Sequence, residues 1–107
     1  MTPKLGKQNP DHVLRVAADL EARLATIAVP RHGDFNPHHD GCRRVIAELT
    51  SRRDARATIS EGRDGWRISM LGLRATGTAG FVTAARNWIA QAREKADNTK
   101  TTAYREQ

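Results

Sequence analysis

The sequence predicts a small single α+β domain in the order α-α-β-β-α, with a two-stranded antiparallel hairpin packed on helices. Three observations lead there. Apolar residues recur at three- and four-residue steps in three separate stretches, and the period drops to two between residues 56 and 73. The 107-residue chain suffices for one small core but not for two. The domain is expected over residues 9–96. Residues 1–8 and 97–107, polar and aperiodic, read as an N-terminal and a C-terminal tail.

The first helix should begin at "NPDH". Asn9 is a good N-cap because its side-chain oxygen can accept a free backbone N–H, and Pro10 suits the first helical position, where no N–H is needed. Val13, Val16, Ala17, Leu20, Leu24 and Ile27 then form one apolar stripe, which Pro30 should end. The second helix starts alike, since "NPHH" at 36–39 repeats the Asn-Pro-x-His of 9–12. Its stripe is Cys42, Val45, Ile46 and Leu49, and Arg52 and Arg53 are expected to close it at the negative end of the helix dipole.

Residues 56–73 read as the hairpin, with "EGRDGW" supplying the turn glycines. Its register follows from pairing apolar residues across one face. If Glu61 faces Trp66, then Ile59 faces Ile68 and Ala57 faces Met70, whereas a one-residue slip sets Ile59 against Ser69. The loop is then Arg63-Asp64, or all of Gly62 to Gly65. The opposite face carries Arg56, Thr58, Ser60, Arg67 and Ser69, with Arg63 at the tip, and no acid. The third helix follows "RATGTAG", capped by Thr78 or Thr76, with Phe81, Ala84, Ala85, Trp88, Ile89, Ala92 and Ala96 as its apolar stripe.

Hydrophobic residues make up 38% of the chain and aromatics 5%, so the core must rest on aliphatics and on Phe35, Trp66, Phe81, Trp88 and Tyr104. No apolar run approaches bilayer length, and "MTPKLGKQ" lacks the apolar segment of a secretory signal, so no membrane association is expected. The lone Cys42 cannot close an intramolecular disulfide, which fits a reducing, cytoplasmic setting.

Charge is the strongest functional signal. Lysine and arginine number 18 against 12 acids, a net charge of +6, and the pI is about 10.4. Such an excess favours anionic partners, although fourteen of the eighteen are arginine, which a GC-rich coding bias also produces.

"RHGDFNPHHDGCRR" at 31–44 invites a metal reading. His38 and Cys42, four apart, share a helix face, and His32 or Asp34 could complete a zinc site. Each has a plainer account: Cys42 opens the apolar stripe as a small buried hydrophobe, and the histidines sit in the first turn of a capped helix like His12. Cys42 as a nucleophile suffers from the same burial. Asp34 and Asp40 suit a helix start, and Glu48 pairs with Arg44 four residues earlier, so no acid/base pair stands out. No catalytic residue, resident metal or cofactor is expected. "RATGTAGF" could present backbone N–H groups to a phosphate beside Arg74, but it holds no Walker lysine or GxGxxG pattern.

Two nucleic-acid folds share part of this order. Helix 2, with Arg43, Arg44 and Arg52, followed by a hairpin with Arg63 at its tip resembles the local order of a winged helix. The link of about nine residues between the first two helices is too long for a helix-turn-helix, and one helix is missing. The strand-Gly-helix ending resembles that of a double-stranded RNA-binding domain. There Ala79 and Gly80 replace the expected lysines, and a third strand is not expected. Neither family is assigned.

The reading is therefore a non-enzymatic basic protein that contacts nucleic-acid phosphates through Arg43, Arg44, Arg52, Arg53, Arg56, Thr58, Ser60, Arg63, Arg67, Ser69 and Arg74. A duplex is favoured over a single strand, because the rings are needed for the core rather than for stacking. The second reading is a protein-binding module docking on an acidic surface of host nucleic-acid machinery, as phage-encoded anti-CRISPR inhibitors do. The hairpin edge could also pair with a second copy of the chain.

Overall fold

The computed structural model describes residues 9–29, 33 and 36–105, with side chains through residue 98. The elements are α1 (Pro10–Ala25), α2 (Asn36–Ser51), β1 (Thr58–Gly62), β2 (Gly65–Met70), β3 (Leu73–Gly77) and α3 (Phe81–Arg105). The α+β class stands, with one strand more than expected. The three strands form an antiparallel sheet in the order β1-β2-β3.

Helix α1 begins as its residues dictate. Asn9 accepts from the backbone N–H of Asp11 at 2.8 Å and of His12 at 3.4 Å, and Pro10 leads the first turn. Val13, Val16, Ala17, Leu20 and Leu24 are buried. The helix ends at Ala25, where the Thr26 hydroxyl donates to the Arg23 carbonyl, and Ile27 still reaches the core beyond it. Pro30, Asp34 and Phe35 lie outside the described residues. Helix α2 buries Cys42, Val45 and Leu49 and half-buries Ile46, as its periodicity requires.

The β1–β2 register is the one the apolar pattern selects: Glu61 opposite Trp66 and Ile59 opposite Ile68. Gly62 pairs with Gly65, leaving Arg63 and Asp64 as the loop. The left-handed backbone falls on Gly65, with φ 108°. A Cβ there would lie 2.4 Å from the Gly77 carbonyl oxygen, so glycine is required by space as well as by φ.

The third strand corrects the expected two-stranded hairpin. Residues 73–77, read as the approach to a helix cap, pair with β2 so that Ile68 faces Ala75 and Met70 faces Leu73. Leu71 and Gly72 make the turn, with φ 53° and 76°. Positive φ at both central residues is the twist-matched hairpin geometry, but leucine is not a residue that announces it.

Helix α3 departs at both ends. Thr76 is within β3, and the first turn closes through the Gly80 carbonyl, which accepts from the Ala84 N–H at 3.1 Å, so Gly80 rather than a threonine precedes the helix. The helix then continues past Ala96 to Arg105, through much of the segment read as a tail. Residues 97–105 contain no glycine or proline, and extending an existing helix costs far less than starting one.

Helix α3 covers one face of β2 and β3, and α1 packs on α3. Helix α2 touches α1 and β1 more lightly. At the centre Trp88 is fully buried, and its indole N–H donates to the Met70 carbonyl at 3.1 Å, so the largest core side chain carries no unpaired donor.

Gly77 sets the distance between the layers, since a Cβ there would lie 2.4 Å from the Ala84 backbone nitrogen. Gly77→Ala is expected to cost about 3 kcal/mol of unfolding free energy in urea denaturation. Gly62→Ala, which meets nothing within 4 Å, should stay within about 0.5 kcal/mol of the parent.

Candidate nucleic-acid interface

The side chains of a strand alternate, so a sheet with one face against α3 presents the other to solvent. The register arranges that outer face in rows. Ser60, Arg67 and Thr76 lie side by side across β1, β2 and β3, and Thr58, Ser69 and Arg74 form the next row. All are exposed except Ser69, which is half-buried. Arg56, also exposed, precedes β1 in the same alternation. Arg67 and Arg74 are diagonal neighbours, their Cα atoms roughly 7–8 Å apart. Neither of the hairpin's two acids stands in these rows. Glu61 shares the alternation of Ile59, and Asp64 sits in the turn.

This placement joins Arg56, Thr58, Ser60, Arg67 and Ser69 as the sequence reading expects and adds two residues. Arg74, expected beside the start of α3, stands instead on the outer face of β3. Thr76, read as a cap, stands there too. The alternation of Leu73, Ala75 and Gly77 with Arg74 and Thr76 was the available signal, masked by the weak strand preference of alanine and glycine. Arg63 lies at the tip and borders a concavity of about 260 Å³ with Ser60, Asp64, Trp66, Arg67 and Thr76. Phe81 and Trp88 are buried, and Trp66, half-buried, packs edge-to-face on Phe81 with centroids 6.1 Å apart.

Arg43 and Arg44 of α2 and Arg52 at its exit meet acids, while Arg53 does not. Arg52 leaves the interface set: its guanidinium grips both carboxylate oxygens of Asp54, at 2.9 and 2.7 Å, and reaches Asp19 of α1 at 2.7 Å. It therefore folds back on α1 instead of closing the end of α2. Asp19 also accepts from Arg23, which pairs with Glu48. Arg44 donates to the Thr26 hydroxyl and lies 3.7 Å from Glu48, and the exposed Arg43 lies 3.7 Å from Asp40. By contrast, no ion pair engages Arg53, Arg56, Arg63, Arg67 or Arg74 among the described residues. Among the helical arginines Arg23, Arg43, Arg44 and Arg93 meet acids, whereas the exposed Arg15 and Arg86, like the arginines of the sheet, enter no ion pair among the described residues.

Hydrogen bonds reach the sheet just before β1 and at β3. The Ala57 N–H donates to the Leu49 carbonyl, and the Thr76 carbonyl accepts from the Asn87 side-chain amide at 2.7 Å. The Asn87 bond engages a backbone acceptor of β3, whereas the Ala57 bond lies outside β1.

His38 and Cys42 do meet, with Nε2 and Sγ 3.6 Å apart. The other ring nitrogen, Nδ1, lies 2.8 Å from the Ala28 carbonyl oxygen. That oxygen can only accept, so Nδ1 carries the proton and Nε2 accepts from the thiol. Burial pushes the Cys42 thiol above its ordinary pKa, which disfavours the thiolate that a nucleophile or metal ligand requires. His32 lies outside the described residues, and no group of three His, Cys, Asp or Glu able to hold a metal occurs among the described ones.

The third strand supplies what the comparison with a double-stranded RNA-binding domain lacked. However, α3 still starts without lysines, and its main helical neighbour is α1 rather than α2. No described helix is long and apolar enough to cross a membrane.

The Arg52 hydrogen bonds hold the Asp54 carboxyl below the ordinary carboxylate pKa. A depressed folded-state pKa adds stability above the unfolded value and loses it as pH falls through the folded value. Thermal melts between about pH 5 and pH 2 should therefore show a shallower acid loss for Asp54→Asn than for the parent, with the variant less stable at neutral pH. Comparison with protein-family models, curated proteins and solved structures finds nothing that matches this chain.

Proposed function

We propose that this chain is a small non-enzymatic protein that binds nucleic acid through its phosphates, using the open face of the sheet. The observation that carries the reading is the sorting of charge. Arg67 and Arg74 share two acid-free rows with Thr58, Ser60, Ser69 and Thr76, with Arg56 just before β1 in the same alternation, while the ion pairs among the described residues lie on or beside the helices. Guanidinium and hydroxyl groups are the usual donors to phosphate oxygens, and a rigid sheet fixes their spacing. Arg53 and Arg63, exposed at either end, extend the field.

Contacts of this kind fix position without reading bases, so binding is modest in sequence preference and steep in salt dependence. An acidic protein surface would engage the same arginines, but it makes no comparable use of four hydroxyls alternating with them. The cytoplasm, where nucleic acid is accessible, is the compartment this reading requires.

Electrophoretic titration against duplex DNA, duplex RNA and single strands at about 50 and 200 mM salt tests the proposal. The parent should bind at the lower salt and weaken by orders of magnitude at the higher. Arg67→Glu combined with Arg74→Glu should lose at least about tenfold in affinity, whereas Arg86→Glu on α3 should change little. Absence of any complex at the lower salt would overturn the proposal and favour the protein-docking alternative.

A further inference from the structure

Resting on that reading, we infer that the open face is built for an A-form duplex, double-stranded RNA, in preference to B-form DNA or a single strand. Shape carries the first step. The three strands span about 10 Å between their outer axes and carry side chains across that width. The B-DNA major groove, about 12 Å wide, admits a helix or a two-stranded ribbon edge-on, and its minor groove is about 6 Å wide. A three-stranded sheet backed by α3 enters neither face-on. The minor groove of A-form RNA is wide and shallow, and a broad, short-chained surface can lie against it.

Chemistry carries the second step. Four of the six side chains in the two rows are hydroxyls, Thr58, Ser60, Ser69 and Thr76. Each can both donate and accept, and so can the ribose 2′-hydroxyl that lines the A-form minor groove and is missing from DNA. Arg67 and Arg74, one diagonal step apart, reach past these short side chains to the flanking phosphates. What the face lacks agrees with this. No aromatic residue stands in its two rows, and Trp66, which borders the concavity at the tip, is half-buried with its ring packed edge-to-face on Phe81, so unpaired bases find no row of stacking platforms. It carries no asparagine or glutamine to read adenine, and the recognition is of shape and sugar rather than sequence.

The experiment is fluorescence anisotropy of the full chain with short duplexes of one sequence, made as RNA, as DNA and as the RNA–DNA hybrid, together with the single RNA strand. Duplex RNA should bind about tenfold tighter than duplex DNA, the hybrid falling between them. Ser60→Ala combined with Ser69→Ala should erase most of that preference and leave the salt slope unchanged. Arg67→Ala combined with Arg74→Ala should lower the slope by about two and keep the preference. Equal binding of the RNA and DNA duplexes, or tighter binding of the single strand, would overturn this inference while leaving the proposed function standing. Absence of binding to all four would remove both. The comparison made on the unaltered chain decides the matter even if a variant folds poorly.

Discussion

The backbone of β3 and the first turn of α3 approach so closely at Gly77 and Ala84 that no side chain fits between them. That contact determines which way the molecule faces. With α3 pressed on β2 and β3, the inner alternation of these two strands must be apolar or absent, and it is: Trp66, Ile68, Met70, Leu73, Ala75 and Gly77. Small residues on both layers, Ala84, Ala85, Ala92 and Ala96 on the helix, let Trp88 occupy the centre. Its indole N–H then ties α3 to the end of β2, beside the Leu71-Gly72 turn. Helix α1 packs on α3, α2 touches the sheet only lightly at β1, and the outer rows stay open, with every residue exposed but the half-buried Ser69.

Helix α2 is held differently, and its tether explains the charge distribution. Its apolar stripe is short, and Gly41 fits closely under Ile27, where a Cβ would meet the isoleucine at 3.2 Å. Most of the remaining attachment runs through Glu48, Arg23, Asp19, Arg52 and Asp54, a chain of alternating charges that links α2 and its exit to α1. Exposed pairs contribute little singly, but a bidentate arginine within a network holds geometry. This network engages Asp19, Glu48 and Asp54 away from the outer rows of the sheet. The outer rows of the sheet, which hold Arg67 and Arg74 and no acid, therefore keep their positive charge unpaired.

How much of this the sequence announces depends on the signal at each residue. The Asn9-Pro10 start, the stripes of α1 and α2 and the β1–β2 register were legible because each rests on a strong local rule of capping, periodicity or cross-strand pairing. The third strand was not. Its turn uses a leucine at φ 53°, and its inner residues are small because the helix demands it, so a tertiary requirement removed the usual strand signal. The same cause hid Arg74 and Thr76 from the expected face. Arg52 misled in the opposite direction, since its partners Asp19 and Asp54 are thirty-three residues away and two residues away, and only the fold brings both to it.

The division of labour between the two faces also bears on how the surface can act. The buried residues that hold the sheet belong to its inner alternation and to the helices, and the outer rows contribute exposed side chains without ion pairs among the described residues. Substitutions there touch little that stabilises the fold, so surface charge and hydroxyl content can vary with small cost in stability. Meanwhile the strands underneath keep their spacing, because Gly65 and Gly77 admit no side chain and the register is fixed by Ile59, Ile68 and Ala75. A free guanidinium on such a lattice loses less conformational freedom on meeting a phosphate than one on a mobile loop, since its backbone is already in place. Specific spacing with replaceable chemistry is what a surface needs if it is to recognise the regular repeat of a duplex rather than one particular sequence.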